Sequence, residues 1–242
     1  FLTYYIYIYM IQYIDPLKLI FVHIPKTGGS FIEKKLQLIN KQLYNNNGRF
    51  AGHYPINYII NRLNIKKISN FNRFTVVRNP YFRIISAYNY LKKTKKRNKL
   101  DTREWRELGS PSTISEFVSS IYKKYKNNKL SVINTSNWHV QQQYKFVVNN
   151  CKKKKIICNI LKYETLKEDF INYIERFKKN KIVYTLLYKH ICENIKIKED
   201  YAIVDILSLK DITMINEIYA DDFSLFKYDL FNAPMEVEKD NE

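Results

Sequence analysis

Residues 17 to 30 read LKLIFVHIPKTGGS, and this stretch decides the fold. Leu17 to Ile24 is almost unbroken in apolar residues, the pattern of a strand buried on both faces in a parallel sheet. After Gly28 and Gly29, apolar residues recur at Ile32, Leu36, Ile39 and Leu43, which is helical spacing. The asparagines at 45 to 47 and Gly48 end that pattern. Strand, tight loop and helix therefore follow one another. Such a loop presents backbone N–H groups with no partner inside the helix, and with the helix dipole these favour an anion. Gly28 and Gly29 let the chain turn closely around phosphate oxygens, Thr27 and Ser30 add hydroxyl donors, and Lys26 adds a charge.

The same grammar returns twice. In FTVVRNPYFRIISAYNYL, residues 74 to 91, Phe74 to Val77 form a short strand and Asn79 with Pro80 the turn. Ile84, Ile85, Tyr88 and Leu91 then make a helical stripe, with Pro80 suited to the first turn. A third strand is expected at Ile156 to Leu161. Thr165 and Glu168 follow at capping-box spacing, with Leu166, Phe170, Ile174 and Phe177 on one helix face. Strands alternating with helices indicate an α/β fold of the P-loop type, three layers with a central parallel sheet flanked by helices. Residues 98 to 150, which hold Trp105, Trp138 and WHVQQQYKF, show no clear period. They are expected to form helices and loops over the ligand edge of the sheet. The tail ITMINEIYADDFSLFKY reads as helix to Tyr219, a turn at Asp221 and Asp222, and anchors at Phe223, Phe226 and Tyr228.

A chain of 242 residues supports one sizeable domain, placed at 16–242. Residues 1–15 are apolar and open without methionine, so they read as a fragment start, either a core strand or the remnant of a membrane anchor. The uncharged run before Asp15 is shorter than the ~20 residues of a membrane span. Hydrophobic content of 45% and aromatic content of 15% argue against disorder. The net charge of +18 asks for a polyanionic partner: nucleic acid, an acidic membrane surface, a charged glycan or a phosphorylated small molecule. The lysine runs KKTKKRNK (92 to 99) and KKKK (152 to 155) by themselves read as solvated loops. Cys151, Cys158 and Cys192 lack both metal-ligand spacing and the density of a disulfide scaffold. One bridge with one thiol, or three thiols, both fit. His139 and His190 stand apart from them, so no zinc or other metal site is expected.

In nucleotide triphosphatases the lysine follows the glycines, as GxxxxGK[ST]. Here it precedes them, and no apolar strand ends in a clear acidic residue to help hold Mg²⁺, which counts against ATP or GTP hydrolysis. Instead FVHIPKTGGS and VVRNPYFRIISAYNY resemble the two cofactor motifs of the PAPS-dependent sulfotransferases. The closest group is that of the heparan sulfate and chondroitin or dermatan 2-O-sulfotransferases. Similarity extends to GHY around His53, WHVQQQ, LKYETLKEDF and IYADDFSLFKY, over roughly residues 18 to 228.

The resemblance implies a sulfotransferase that uses 3′-phosphoadenylyl sulfate as co-substrate and sulfates a hydroxyl of an acceptor, a carbohydrate before any other hydroxyl compound, anionic or neutral. Lys26, Thr27, Gly28, Gly29 and Ser30 would hold the 5′-phosphosulfate, and Arg78 and Ser86 the 3′-phosphate. Lys26 would meet the oxygen bridging sulfur and phosphorus, and His53 would be the base. Spacing alone agrees for the second motif, since Arg78 ends a strand and Ser86 lies two helical turns on, so both can face one anion. His139 and Glu33 are rival bases, and His23 reads as packed within the first strand. A P-loop kinase and a basic nucleic-acid-binding protein are the alternatives, with no nucleic-acid partner expected on the leading reading. A eukaryotic family member would sit in the Golgi membrane or lumen, any other in the cytoplasm. The oligomeric state is left open.

Overall fold

The computed structural model describes residues 13–14, 18–44, 53–62, 70–95, 99–130, 137–148, 155–197 and 203–231. Four strands form one sheet in the order β1 (Tyr13–Ile14), β2 (Leu19–Val22), β3 (Asn72–Val77) and β4 (Asn159–Lys162). β1 is antiparallel to β2, whereas β2, β3 and β4 are parallel, with Phe21 opposite Phe74 and Val77 opposite Lys162.

Helices α1 (Gly29–Tyr44) and α2 (Ile56–Arg62) connect β2 to β3. Between β3 and β4 come α3 (Pro80–Thr94), α4 (Lys99–Glu107), α5 (Ile114–Lys126) and the short α6 (Tyr144–Val147). After β4 follow α7 (Leu166–Ile174), α8 (Lys181–His190), α9 (Leu209–Ile218) and α10 (Ala220–Phe226).

Alternation along β2 explains its continuous apolar run, because successive side chains point to opposite faces and both faces are covered. Leu19 and Phe21 join Phe74, Val76 and Leu161 beneath Ile32, Leu36 and Ile39 of α1 and Phe170 of α7. Ile20 and Val22 lie on the other face with Val77, Ile56 and Ile59 of α2, and Phe146 of α6. A third cluster joins α3 to α4, α5 and α9 through Tyr88, Leu91, Trp105, Phe117 and Ile215. Each buried side chain of this size contributes about 1.5–3 kcal/mol, so these three layers hold the loop ends in place.

The expected helix at 80–91 is present: Pro80 opens it and the Asn79 side chain accepts from Tyr81 N–H. Three readings need correction. β4 begins at Asn159, because Ile156 bridges Val148 instead and Ile157 N–H bonds to Val147. Thr165 forms no capping box with Glu168; its hydroxyl donates to Asp169, whose carboxylate also accepts from Lys162 N–H. The tail does not turn at Asp221 and Asp222 but continues as α10. There Asp222 is buried, and its carboxylate accepts from Gln143 and Tyr144 N–H at 2.8 Å each, capping α6. Burial pushes that carboxyl up to about 6, against those two hydrogen bonds and Arg83.

Most of segment 1–15, the side chain of Leu43, residues 45–48 and Cys151 lie outside the described residues. Cys158 and Cys192 carry free thiols. No described helix is long and apolar enough to cross a membrane.

Candidate functional site

A cavity of about 610 Å³ opens where the parallel strands end. That is where ligands of open α/β sheets sit, because the loops leaving the strands converge there. Every residue expected from the sequence lines it except Thr27: Lys26, Gly28, Gly29, Ser30, His53, Arg78 and Ser86. Thr27 is fully buried and its hydroxyl donates to Ile24 C=O at 2.8 Å, so the side chain braces the loop from behind.

The loop geometry shows why these residues are needed. Lys26 has φ +69° and Gly28 φ +84°, the left-handed region in which glycine is at ease and lysine is not. The strained backbone lays the Lys26 ammonium 3.8 Å from the centroid of the Tyr90 ring. A Cβ on Gly28 would come within 3.0 Å of the Tyr163 ring, and one on Gly29 within 2.1 Å of the His23 ring. Both glycines line the cavity at the first turn of α1, where helix N–H groups have no partner inside the helix.

The second wall comes from β3 and α3. The Arg78 guanidinium stacks 4.4 Å from the centroid of Tyr163, while its backbone is held twice by one side chain. Arg78 N–H donates to Gln143 Oε1 at 3.0 Å, and Gln143 Nε2 donates to Arg78 C=O at 2.8 Å. Asn79 N–H donates to Glu164 at 2.8 Å, tying the same turn to the end of β4. Ser86 reaches the cavity from the next turns of α3.

Three histidines meet at the other end. His23 lies just past β2, buried, with Nδ1 2.9 Å from Glu33 Oε1. Glu33 thus points at His23, and it is not among the cavity-lining residues. His53 packs edge-on to His23 with centroids 4.4 Å apart, and its Nδ1 is 3.2 Å from His23 C=O. A carbonyl only accepts, so Nδ1 carries the proton and Nε2 keeps a lone pair. Burial, and then the nearby His23, His139 and Arg83, hold the His53 pKa well below its usual 6.5 despite that backbone bond. His53 is therefore neutral at physiological pH. His139 lies 6.0 Å from it between ring centroids and also lines the cavity.

Several contributors escaped the sequence reading. Arg83 is fully buried and donates from Nε to Pro25 C=O at 3.0 Å and from Nη1 to Gln141 C=O at 2.7 Å, joining the loop to segment 137–143. Tyr163, immediately after β4, could have been suspected from that position alone. Asn194, Ile195 and Lys196 line the far side, and nothing in their local sequence signals it. Among the described residues, no three His, Cys, Asp or Glu side chains converge as metal ligands.

The arrangement can bind an extended anion along the loop and Arg78, and can take a proton from a hydroxyl at His53. Against curated proteins and against solved structures the chain has no significant match. The sequence model of the sulfotransferase family matches residues 10–229, which take in the loop, Arg78, Ser86 and all three histidines of the cavity. The chain belongs to the sulfotransferase family.

Proposed function

We propose that this chain transfers the sulfuryl group of 3′-phosphoadenylyl sulfate to a hydroxyl of a carbohydrate. The observation that carries the reading is that one cavity gathers the Lys26–Ser30 loop, the Arg78 side chain and the His53 imidazole, whose pKa burial lowers. The residues suit the donor, since a Cβ would crowd the cradle at Gly28 and Gly29, and Lys26 and Arg78 supply charge at two separate places.

On this reading the donor end is Lys26 to Ser30 with Arg78 and Ser86, and the acceptor end is the histidine cluster. The attacking hydroxyl oxygen forms a bond to sulfur as the bond from sulfur to the phosphate oxygen breaks. The hydroxyl proton passes to Nε2 of His53, and the leaving group is adenosine 3′,5′-bisphosphate. Lys26 meets the charge that grows on the departing oxygen, a contribution larger in the transition state than in the bound donor. Arg78 and Ser86 hold the 3′-phosphate and contribute to affinity rather than to bond breaking.

Thermal stabilisation by adenosine 3′,5′-bisphosphate, compared with ATP plus Mg²⁺, tests the donor. A ligand at about 100 times its dissociation constant adds roughly 2.7 kcal/mol of stability. Equal or greater stabilisation by ATP and Mg²⁺ points to a kinase and ends the proposal. Transfer from labelled donor to a panel of polysaccharides then identifies the acceptor.

A further inference from the structure

His139 is held more firmly than its place on a short 3₁₀ turn, Trp138–Val140, requires. One carboxylate does the holding: Glu104 of α4 accepts from His139 N–H at 3.1 Å with Oε1 and lies 2.7 Å from His139 Nδ1 with Oε2. Glu104 is 1% exposed and His139 8%. The imidazole is also packed against Tyr90, ring centroids 4.9 Å apart, and Tyr90 is itself hydrogen-bonded to Asp101 of α4. So α4 sends two buried carboxylates toward the acceptor end, one to each ring. Other charged groups close by are Arg83, whose field reaches both Glu104 and His53, and Lys26, whose ammonium lies over the Tyr90 ring.

Burial raises the Glu104 pKa, and the hydrogen bonds and charge of His139 oppose that rise; as a carboxylate Glu104 only accepts, so Oε2 keeps the ring proton on Nδ1. Nε2, on the opposite side of the ring from Glu104, is left as an acceptor where His139 borders the cavity. His53 and His139, which line the same cavity, then each carry an unprotonated Nε2. Only one can take the proton of the attacked hydroxyl.

We propose that Glu104 is a positioning residue that acts through His139, fixing a second imidazole nitrogen at the acceptor end to receive a hydrogen bond from an O–H or N–H group neighbouring the hydroxyl that is sulfated. The inference rests on the sulfuryl-transfer reading for its ligand but not for its geometry. It names the acceptor's chemistry: a hydroxyl with a second donor beside it, as in a vicinal diol or an amino alcohol. An acceptor with an isolated hydroxyl would leave His139 Nε2 without a partner, and rejecting analogues that lack a needed hydrogen bond is how such sites discriminate.

Glu104→Gln is the informative variant. Its oxygen satisfies His139 N–H, and its amide NH₂ then donates to Nδ1, which moves the ring proton to Nε2. Diethyl pyrocarbonate attacks unprotonated imidazole nitrogens, so carbethoxylation mapped by peptide mass reads the change without donor or acceptor. His190, half-buried on α8 with Nε2 2.9 Å from Gln42 Oε1 and far along the chain, serves as the internal reference. The expected result is reaction at His139 in the native chain and a slowing of about tenfold or more in Glu104→Gln at unchanged His190 rate, as an orienting carboxylate implies. No reaction at His139 in the native chain, or an equal or faster rate in the variant, overturns the proposal. With a polysaccharide that the native enzyme sulfates, Glu104→Gln and His139→Ala should each lower kcat/KM for the acceptor without changing bisphosphate affinity. The double variant should be no worse than His139→Ala alone, and additive losses would overturn the positioning role. Failure of the bisphosphate to stabilise the native chain would remove the sulfuryl-transfer reading and leave the carbethoxylation result standing.

Discussion

At the donor end, Lys26 to Ser30 and Arg78 to Ser86 each come from one continuous strand–loop–helix stretch. At the acceptor end, His53, Tyr90, Glu104 and His139 come from four separate segments. The first end is shaped by backbone: left-handed φ at Lys26 and Gly28, a proline at the first turn of α3, and glycines against aromatic rings. The second is shaped by side chains that meet only when the fold is complete. On the proposed reading, local geometry makes the binding site for the donor, while long-range contacts make the part that meets the acceptor. The two ends should therefore fail differently when altered.

The largest effect is expected from His53→Ala. A general base contributes about 10² to 10⁴ in rate, so turnover should fall by that factor while affinity for adenosine 3′,5′-bisphosphate is kept. Steady-state kinetics beside calorimetric binding would show the split, and near-native turnover would move the base to His139 or Glu33.

At the donor end Arg78→Ala should instead leave chemistry nearly intact once the site is filled. A hydrogen bond to a charged group contributes about 1.5–3 kcal/mol, so the 3′-phosphorylated nucleotide should bind roughly 10- to 100-fold more weakly. An analogue without the 3′-phosphate should bind as before; equal losses for both would show that Arg78 supports the loop generally.

Gly29→Ala sets a methyl group against the His23 ring, and overpacking of this kind costs about 1–3 kcal/mol. Chemical denaturation should show that loss, and Gly29→Ala combined with His23→Ala should recover most of it. If the pair remains as unstable as the single variant, the cost does not come from the contact with the ring.

The smallest effect concerns pH. Because the folded-state pKa of His53 lies below 6.5, the acid limb of kcat/KM should fall below that value, with activity lost as the imidazole gains its proton. The same sign governs stability: His53 favours the folded state fully above about pH 6.5 and progressively less below it. Removing His139, whose charge when protonated helps depress it, should raise the midpoint of the limb by less than about one unit. A limb centred above 6.5 in the native enzyme would mean that another group is titrating.

The asymmetry also explains what could be read beforehand. Strand β2, helix α3 and the loop between β2 and α1 were legible because their periodicity and their turn residues lie within a few positions of each other. The Thr27 hydroxyl turns back to Ile24, and its neighbours in sequence do not reveal that contact. Asp222 looked like a turn residue in ADD, and its partners are the amides of Gln143 and Tyr144, remote in sequence. Glu104 sits in the polar stretch TREWREL with no local mark of importance. Its meaning comes from an imidazole 35 residues away. His53 lies in a short segment between α1 and α2, and resemblance rather than periodicity singled it out.

The amide of Gln143 completes β3 as a neighbouring strand would, taking both the N–H and the C=O of Arg78. Its consequence is felt in time as well as in geometry. With both backbone groups engaged before any nucleotide arrives, the Arg78 amide should exchange with deuterated solvent only through larger openings of the sheet edge. The entropy of ordering that peptide is thus settled during folding, and on the proposed reading a 3′-phosphate need immobilise little beyond the guanidinium itself.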